Sequence, residues 1–185
     1  MGEENAGVKK FLTVLTMGMT LSAGLAEAPP QPVAFRVGPL LFERPEGWKW
    51  VKPEGSFRVA QLEKTGAGKS AIVMAFSRFP AGAGGTPQAN VERWVGQFSR
   101  TATPPEVQSL TSNACPVTRV KIRGTLKGGT PGGPEKEITD ALLLGAILEA
   151  EGGMIVVKMA GPATSLAQEE KTFDALLSAA TEKKP

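Results

Sequence analysis

Histidine and tyrosine do not occur anywhere in the 185 residues, and cysteine occurs once, at Cys115. The missing histidine removes the commonest general base, proton shuttle and metal ligand together. A single cysteine forms neither an internal disulfide nor a cysteine-based zinc site. In Ser112-Asn113-Ala114-Cys115-Pro116 it reads as a buried, unreactive thiol beside a strand start. Aromatic residues make up only 6% of the chain, too few for a row of rings that stacks single-stranded nucleic acid. Charge of either sign is not concentrated. With 21 Lys and Arg against 18 Asp and Glu, the net of +3 lacks the basic field that nucleic-acid binding needs.

What is present begins with an export signal. Lys9-Lys10 precedes the apolar stretch Phe11–Leu21, and Ser22-Ala23-Gly24-Leu25-Ala26 supplies the small residues of a cleavage site. Residues 1–26 are therefore expected to be a signal peptide, and the mature chain to be periplasmic or extracellular. The stretch is too short and too rich in Thr and Gly to span a membrane, so no transmembrane segment is expected in the mature chain. No cysteine follows the stretch to carry a lipid.

The remaining ~160 residues suit one domain with one sizeable core. Residues 27–39 form a Pro-rich lead-in with a first strand at Val33–Val37, and 40–182 form a single globular domain. Leu40–Glu43, Phe57–Glu63, Ala71–Phe79, Glu106–Thr111, Pro116–Lys127, Ile138–Ala150 and Met154–Ala160 read as strands between Gly/Pro turns. Trp48 and Trp50, two apart, share one face of any strand there. Thr86-Pro87 opens a helix, with a hydroxyl cap followed by a proline whose missing N–H does no harm. Val91, Trp94, Val95 and Phe98 form its apolar stripe. Ser165 and Gln168 have capping-box spacing ahead of a second helix that buries Leu166, Phe173, Leu176, Leu177 and Ala180.

Strands apolar on both faces, such as Leu142-Leu143-Leu144 and Ile155-Val156-Val157, need cover on both sides. The fold class is α+β. The architecture expected is a three-layer α/β/α sandwich, one mainly antiparallel twisted sheet with helices on both faces.

Four segments carry a resemblance: Glu46-Gly47-Trp48, Phe57-Arg58-Val59-Ala60-Gln61, the helix segment Ala89–Phe98, and Phe173–Ser178. They are similar to a group of uncharacterised exported bacterial proteins whose fold resembles the PsbP-like α/β/α sandwich, named for an accessory protein of photosynthetic water oxidation. The likeness runs from about Leu40 to Ala180 and is most specific in Asn90–Phe98. It implies a non-catalytic assembly or stabilising role, with no catalytic residue to carry over. Many relatives are lipoproteins; the cysteine that tethering requires is absent here.

The motifs lead to no chemistry. Gly66-Ala67-Gly68-Lys69-Ser70 lacks the leading glycine of a phosphate loop, since that position holds Glu63, and it feeds a strand where a phosphate loop must feed a helix. There is no G-x-S-x-G elbow and no S-x-x-K pair. Glu170 and Asp174, at i and i+4, read as a solvated helix face before a carboxylate pair or a hard-cation site. No catalytic, cofactor-binding or metal-ligating residue is expected, and no cofactor. The chain is expected not to be an enzyme.

The residues expected to meet a partner are surface ones. Arg119, Lys121, Arg123 and Lys127 alternate with Val120, Ile122 and Leu126, so period two puts the cations on one face. That face is expected to stand outside both helices, solvated or docked on an acidic envelope protein or other anionic surface. Trp50, flanked by Lys49 and Lys52, and Asn90 and Arg93 beside Trp94, are further contact candidates. The function expected is a non-enzymatic exported accessory or protein-binding factor. The alternative is an extracytoplasmic carrier of a small ligand, held in a cleft between sheet and helix.

Overall fold

The computed structural model describes residues 31–53, 57–66, 71–129 and 134–182. The expected signal peptide, residues 67–70 of the glycine loop and residues 54–55 of an expected turn lie outside the described residues.

Ten strands are described: β1 (Ala34–Val37), β2 (Leu40–Glu43), β3 (Lys49–Trp50), β4 (Arg58–Thr65), β5 (Ala71–Pro80), β6 (Phe98–Thr101), β7 (Glu106–Thr111), β8 (Pro116–Leu126), β9 (Ile138–Ala150) and β10 (Gly153–Pro162). The helices are α1 (Pro87–Val95), α2 (Ala163–Leu166) and α3 (Glu170–Thr181), with a 3-10 turn at Ala167–Glu169 between the last two. The class is α+β. Eight strands form one sheet in the order β3-β4-β5-β10-β9-β8-β6, with β7 also on β8, and every pairing is antiparallel. Thr65 is the registered partner of Ala71, so the glycine loop joins two strands of a hairpin.

Three expectations change. β1 and β2 pair only with each other, around Gly38 at φ 57, and form a separate two-stranded sheet. Aromatic packing holds this hairpin down. Phe35 meets Phe76 and Trp50 edge-on at 4.9 and 4.5 Å, and Phe42 meets Phe76 at 5.2 Å. The supposed lead-in therefore supplies part of the core, and Gln31 to Val33 are pinned by bonds to Trp50 and Arg44.

The second change concerns Phe98, which leaves the helical stripe. The Thr86 hydroxyl caps α1 by accepting from Ala89 N at 3.1 Å, but the helix stops at Val95 and Phe98 begins β6, paired with Leu126. Strand pairing wins over a further helical turn, and the ring still reaches the cluster that holds Val91 and Trp94. Third, no capping box forms. Helical backbone begins at Ala163, directly after Pro162, so Ser165 lies inside the first turn and not ahead of it.

Two apolar clusters fill the molecule. One joins Leu142, Leu144 and Leu148 of β9 to Phe42, Trp48, Phe76 and to Phe173, Leu176 and Leu177 of α3. The other joins Leu143 and Ile147 of β9 to Val120 and Ile122 of β8 and to Val91 and Trp94 of α1. Successive β9 side chains thus serve different clusters, as a pleated strand requires. Among the described residues no helix is long and apolar enough to cross a membrane.

Candidate functional site

The basic row on β8 does not stand clear of the helices. Arg119 is only 7% exposed. Its Nε donates to Asp174 Oδ1 at 2.6 Å, and its Nη2 donates to Glu170 Oε1 at 2.8 Å and Asp174 Oδ2 at 3.1 Å. Lys121 Nζ reaches Glu170 Oε2 at 3.0 Å. The i,i+4 carboxylates of α3 therefore lie over the cations of β8, and two positive charges meet two negative ones. Burial pushes the Glu170 carboxyl up, but the hydrogen bonds and charges of Arg119 and Lys121 outweigh it and hold the group below its ordinary value. Neither carboxylate is a free solvated group of the helix face.

Farther along, Arg123 makes a bidentate pair with Asp140, both side chains exposed. Lys127 has left the row: the register shifts between Gly124 and Leu126, and Lys127 Nζ donates to Gly96 O at 2.8 Å, just past the end of α1. The remaining candidates hold structure. Trp50 is half-buried, with its ring edge-on to Phe35 and its Nε1 donating to Pro32 O at 3.0 Å. Asn90, 2% exposed, donates to Gly84 O and Thr86 O, both at 2.9 Å, and so ties the glycine loop to α1. Arg93 is exposed and donates to Asn90 Oδ1 at 2.8 Å. Cys115 is buried, and burial pushes its thiol up despite the hydrogen bond with Ser112.

The surface that sequence reasoning did not single out is β7. All six of its residues are exposed, Val107 at 48% and Leu110 at 46%. It pairs with β8 from Glu106↔Lys121 to Thr111↔Pro116 without a register shift, and among the described residues with no other strand. Its far edge is thus a row of backbone donors and acceptors with no strand beside it. Between β7 and α3 runs an open groove of about 470 Å³, lined by Gln108, Leu110, Val117, Arg119, Glu170 and Leu177 among others. The legible signal was composition: Glu106-Val107-Gln108-Ser109-Leu110-Thr111 lacks the double-sided apolar run of the inner strands.

No protein-family model and no curated protein matches the sequence. Among solved structures, a Pseudomonas aeruginosa protein of unknown function, PA94, is similar at a TM-score of 0.45 and 10% identity, over 82% of this chain and 96% of that one.

Proposed function

We propose that the chain is an exported, non-catalytic protein-binding factor that takes an extended segment of its partner onto the free edge of β7. The observation that carries this reading is the state of that edge. An unpaired edge is a template for another strand, and proteins ordinarily blunt it with Lys, Pro, a bulge or very short length. β7 has six residues in unbroken register and carries no Lys and no Pro. The opposite end of the sheet is blunted: β3 is two residues long, and the β4–β5 ladder shifts register between Arg58 and Ala60. Backbone pairing along β7 supplies affinity, and Leu110 in the groove selects the side chain laid against it.

Absence of catalysis is supported by the lack of histidine, by the capture of Glu170 and Asp174 in ion pairs, and by the raised Cys115 thiol. Export rests on residues 8–26 of the sequence. The alternation in β9, with one set of side chains packed with α3 and the other with α1, supports the three-layer α/β/α sandwich and the likeness to PsbP-like proteins.

The test compares wild type with the double variant Val107→Lys, Leu110→Lys in pull-downs from envelope extract. Hydrogen exchange is then followed on the recovered complex. Wild type should recover a partner that protects the amides of Glu106–Thr111, and the charged edge should lose it. Equal recovery by both proteins, or protection confined to other strands, overturns the reading.

A further inference from the structure

The groove between β7 and α3 is polarised along its length. β7 and β8 pair as Glu106↔Lys121, Gln108↔Arg119 and Leu110↔Val117, and residues paired in this way share one face of the sheet. α3 lies over that face. Its Glu170 meets Lys121 and Arg119, its Asp174 meets Arg119, and Leu177 follows in the groove wall. One end of the groove is therefore bounded by the carboxylates of Glu106, Glu170 and Asp174, and the other by Leu110, Val117 and Leu177.

The charges at the polar end do not balance. Arg119 and Lys121 are taken up by Glu170 and Asp174, two cations against two carboxylates. Glu106 is left over. Among the described residues its carboxylate has no ion pair or hydrogen bond, and its cross-strand neighbour Lys121 is drawn to Glu170 at 3.0 Å. Glu106 is also exposed, at the start of the free edge. The basic row of β8 is thus neutralised by α3, and the edge offers a newcomer one uncompensated negative charge at Glu106. Leu110, on the same face and 46% exposed, is the apolar side chain that it offers four residues later.

A strand added beside β7 places every second side chain on the α3 face, opposite Glu106, Gln108 and Leu110. A cation directly across from Glu106 is stabilising and a second anion there is not. An apolar side chain across from Leu110 removes exposed hydrocarbon of both partners from water.

We infer that the segment taken up by β7 carries a Lys or Arg and a large apolar residue four positions apart, the cation beside Glu106 and the apolar side chain beside Leu110 at the groove. The sign is the reverse of the one that the basic row of β8 alone suggests. The inference rests on strand docking at β7 and adds the chemistry of the partner to it.

Amide spectra of isotope-labelled protein titrated with three synthetic peptides test this. Each peptide has leucine four residues before a variable position, the order that antiparallel addition requires, with Thr and Ser elsewhere. The variable position holds lysine, norleucine or glutamate. At low salt the lysine peptide should shift the amides of Glu106–Thr111 and bind about threefold more tightly than the norleucine peptide, the scale of an exposed cross-strand charge pair. The glutamate peptide should bind most weakly, and high salt should flatten the order. Glu106→Gln should bring the lysine peptide to the norleucine level and leave the norleucine peptide unchanged, and Glu106→Lys should put the glutamate peptide first. Spectra of the free variants establish that they are folded. Equal binding of the three peptides at β7 overturns the charge selection and leaves strand docking standing. So does a lysine preference that survives Glu106→Gln. Peptides that shift no amide of β7 overturn both.

Discussion

Arg119 and Lys158 are both basic side chains on inner strands, and their surroundings give them opposite energetics. Arg119 gains two carboxylates within 3.1 Å, so its burial is compensated. Lys158 gains one neutral amide oxygen, and its ammonium drops from 10.5 to about 8. The sign of the consequence follows from proton counting. Between those two values the unfolded chain holds the proton that the folded chain has shed, so stability rises with pH across that window. Below about pH 8 the folded protein bears the full cost of the buried charge. Lys158→Met should therefore be more stable than wild type at pH 7, by about 1–3 kcal/mol at 1.4 kcal/mol per pH unit. The advantage should shrink as pH climbs toward 10.5. Denaturant midpoints of the two proteins across that range check it; an unchanging difference would mean that the ammonium is freely solvated.

Between elements, α1 and β9 approach tightly at Gly145. Trp94 lies across Gly145, where any Cβ would enter the ring, and Trp94 is 4% exposed. A glycine is required here by the approach of the ring, not by a turn. Gly145→Ala should push the helix off the sheet and cost about 1–3 kcal/mol, the usual price of overpacking. Made in a Trp94→Leu background, the same change should cost much less, because the clash has gone and the two sites are coupled. Chemical denaturation of the four proteins measures this. An equal cost in both backgrounds would place the helix elsewhere. α3 is fastened differently, with Phe173, Leu176 and Leu177 in the apolar cluster and Glu170 and Asp174 on the Arg119 guanidinium. Its position is set by packing, and the ion pairs fix its register along β8.

For the molecule as a whole, the two ends of the eight-stranded sheet differ in kind. One end finishes in the two-residue β3, the other in β6 and in β7, whose six residues are all exposed. The β1–β2 hairpin and α3 share one apolar cluster, so removing the chain up to Val37 would uncover Phe42, Phe76 and Trp50. The compact unit begins at Gln31. Cleavage after Ala26 would leave that unit whole, and the export proposed above predicts a mature protein that begins at Glu27. N-terminal sequencing of protein recovered from outside the cytoplasm checks this, and a product still carrying Met17–Leu21 would refute it.

The sequence by itself determined the elements whose signal is local. Apolar runs and their Gly/Pro boundaries placed β8, β9 and β10 within a few residues, and Thr86-Pro87 with Val91 and Trp94 placed the start of α1. Such patterns are written in neighbouring residues, through the period of the backbone and the conformations open to Thr, Pro and Gly. It also excluded histidine-based chemistry and an internal disulfide, since the chain holds no histidine and a single cysteine. Only the tertiary structure decided what each side chain meets. Arg119 and Asp174 are 55 residues apart in sequence, Lys64 and Glu169 105, and Lys158 and Gln97 61. Period two put Arg119, Lys121 and Arg123 on one face correctly, but it could not say that α3 would lay two carboxylates over Arg119 and Lys121. Nor could it say that Lys158 would find none, that β1 and β2 would leave the main sheet, or that Phe98 would join β6. Charge compensation and burial depend on distances across the fold, and a one-dimensional pattern carries no such distance.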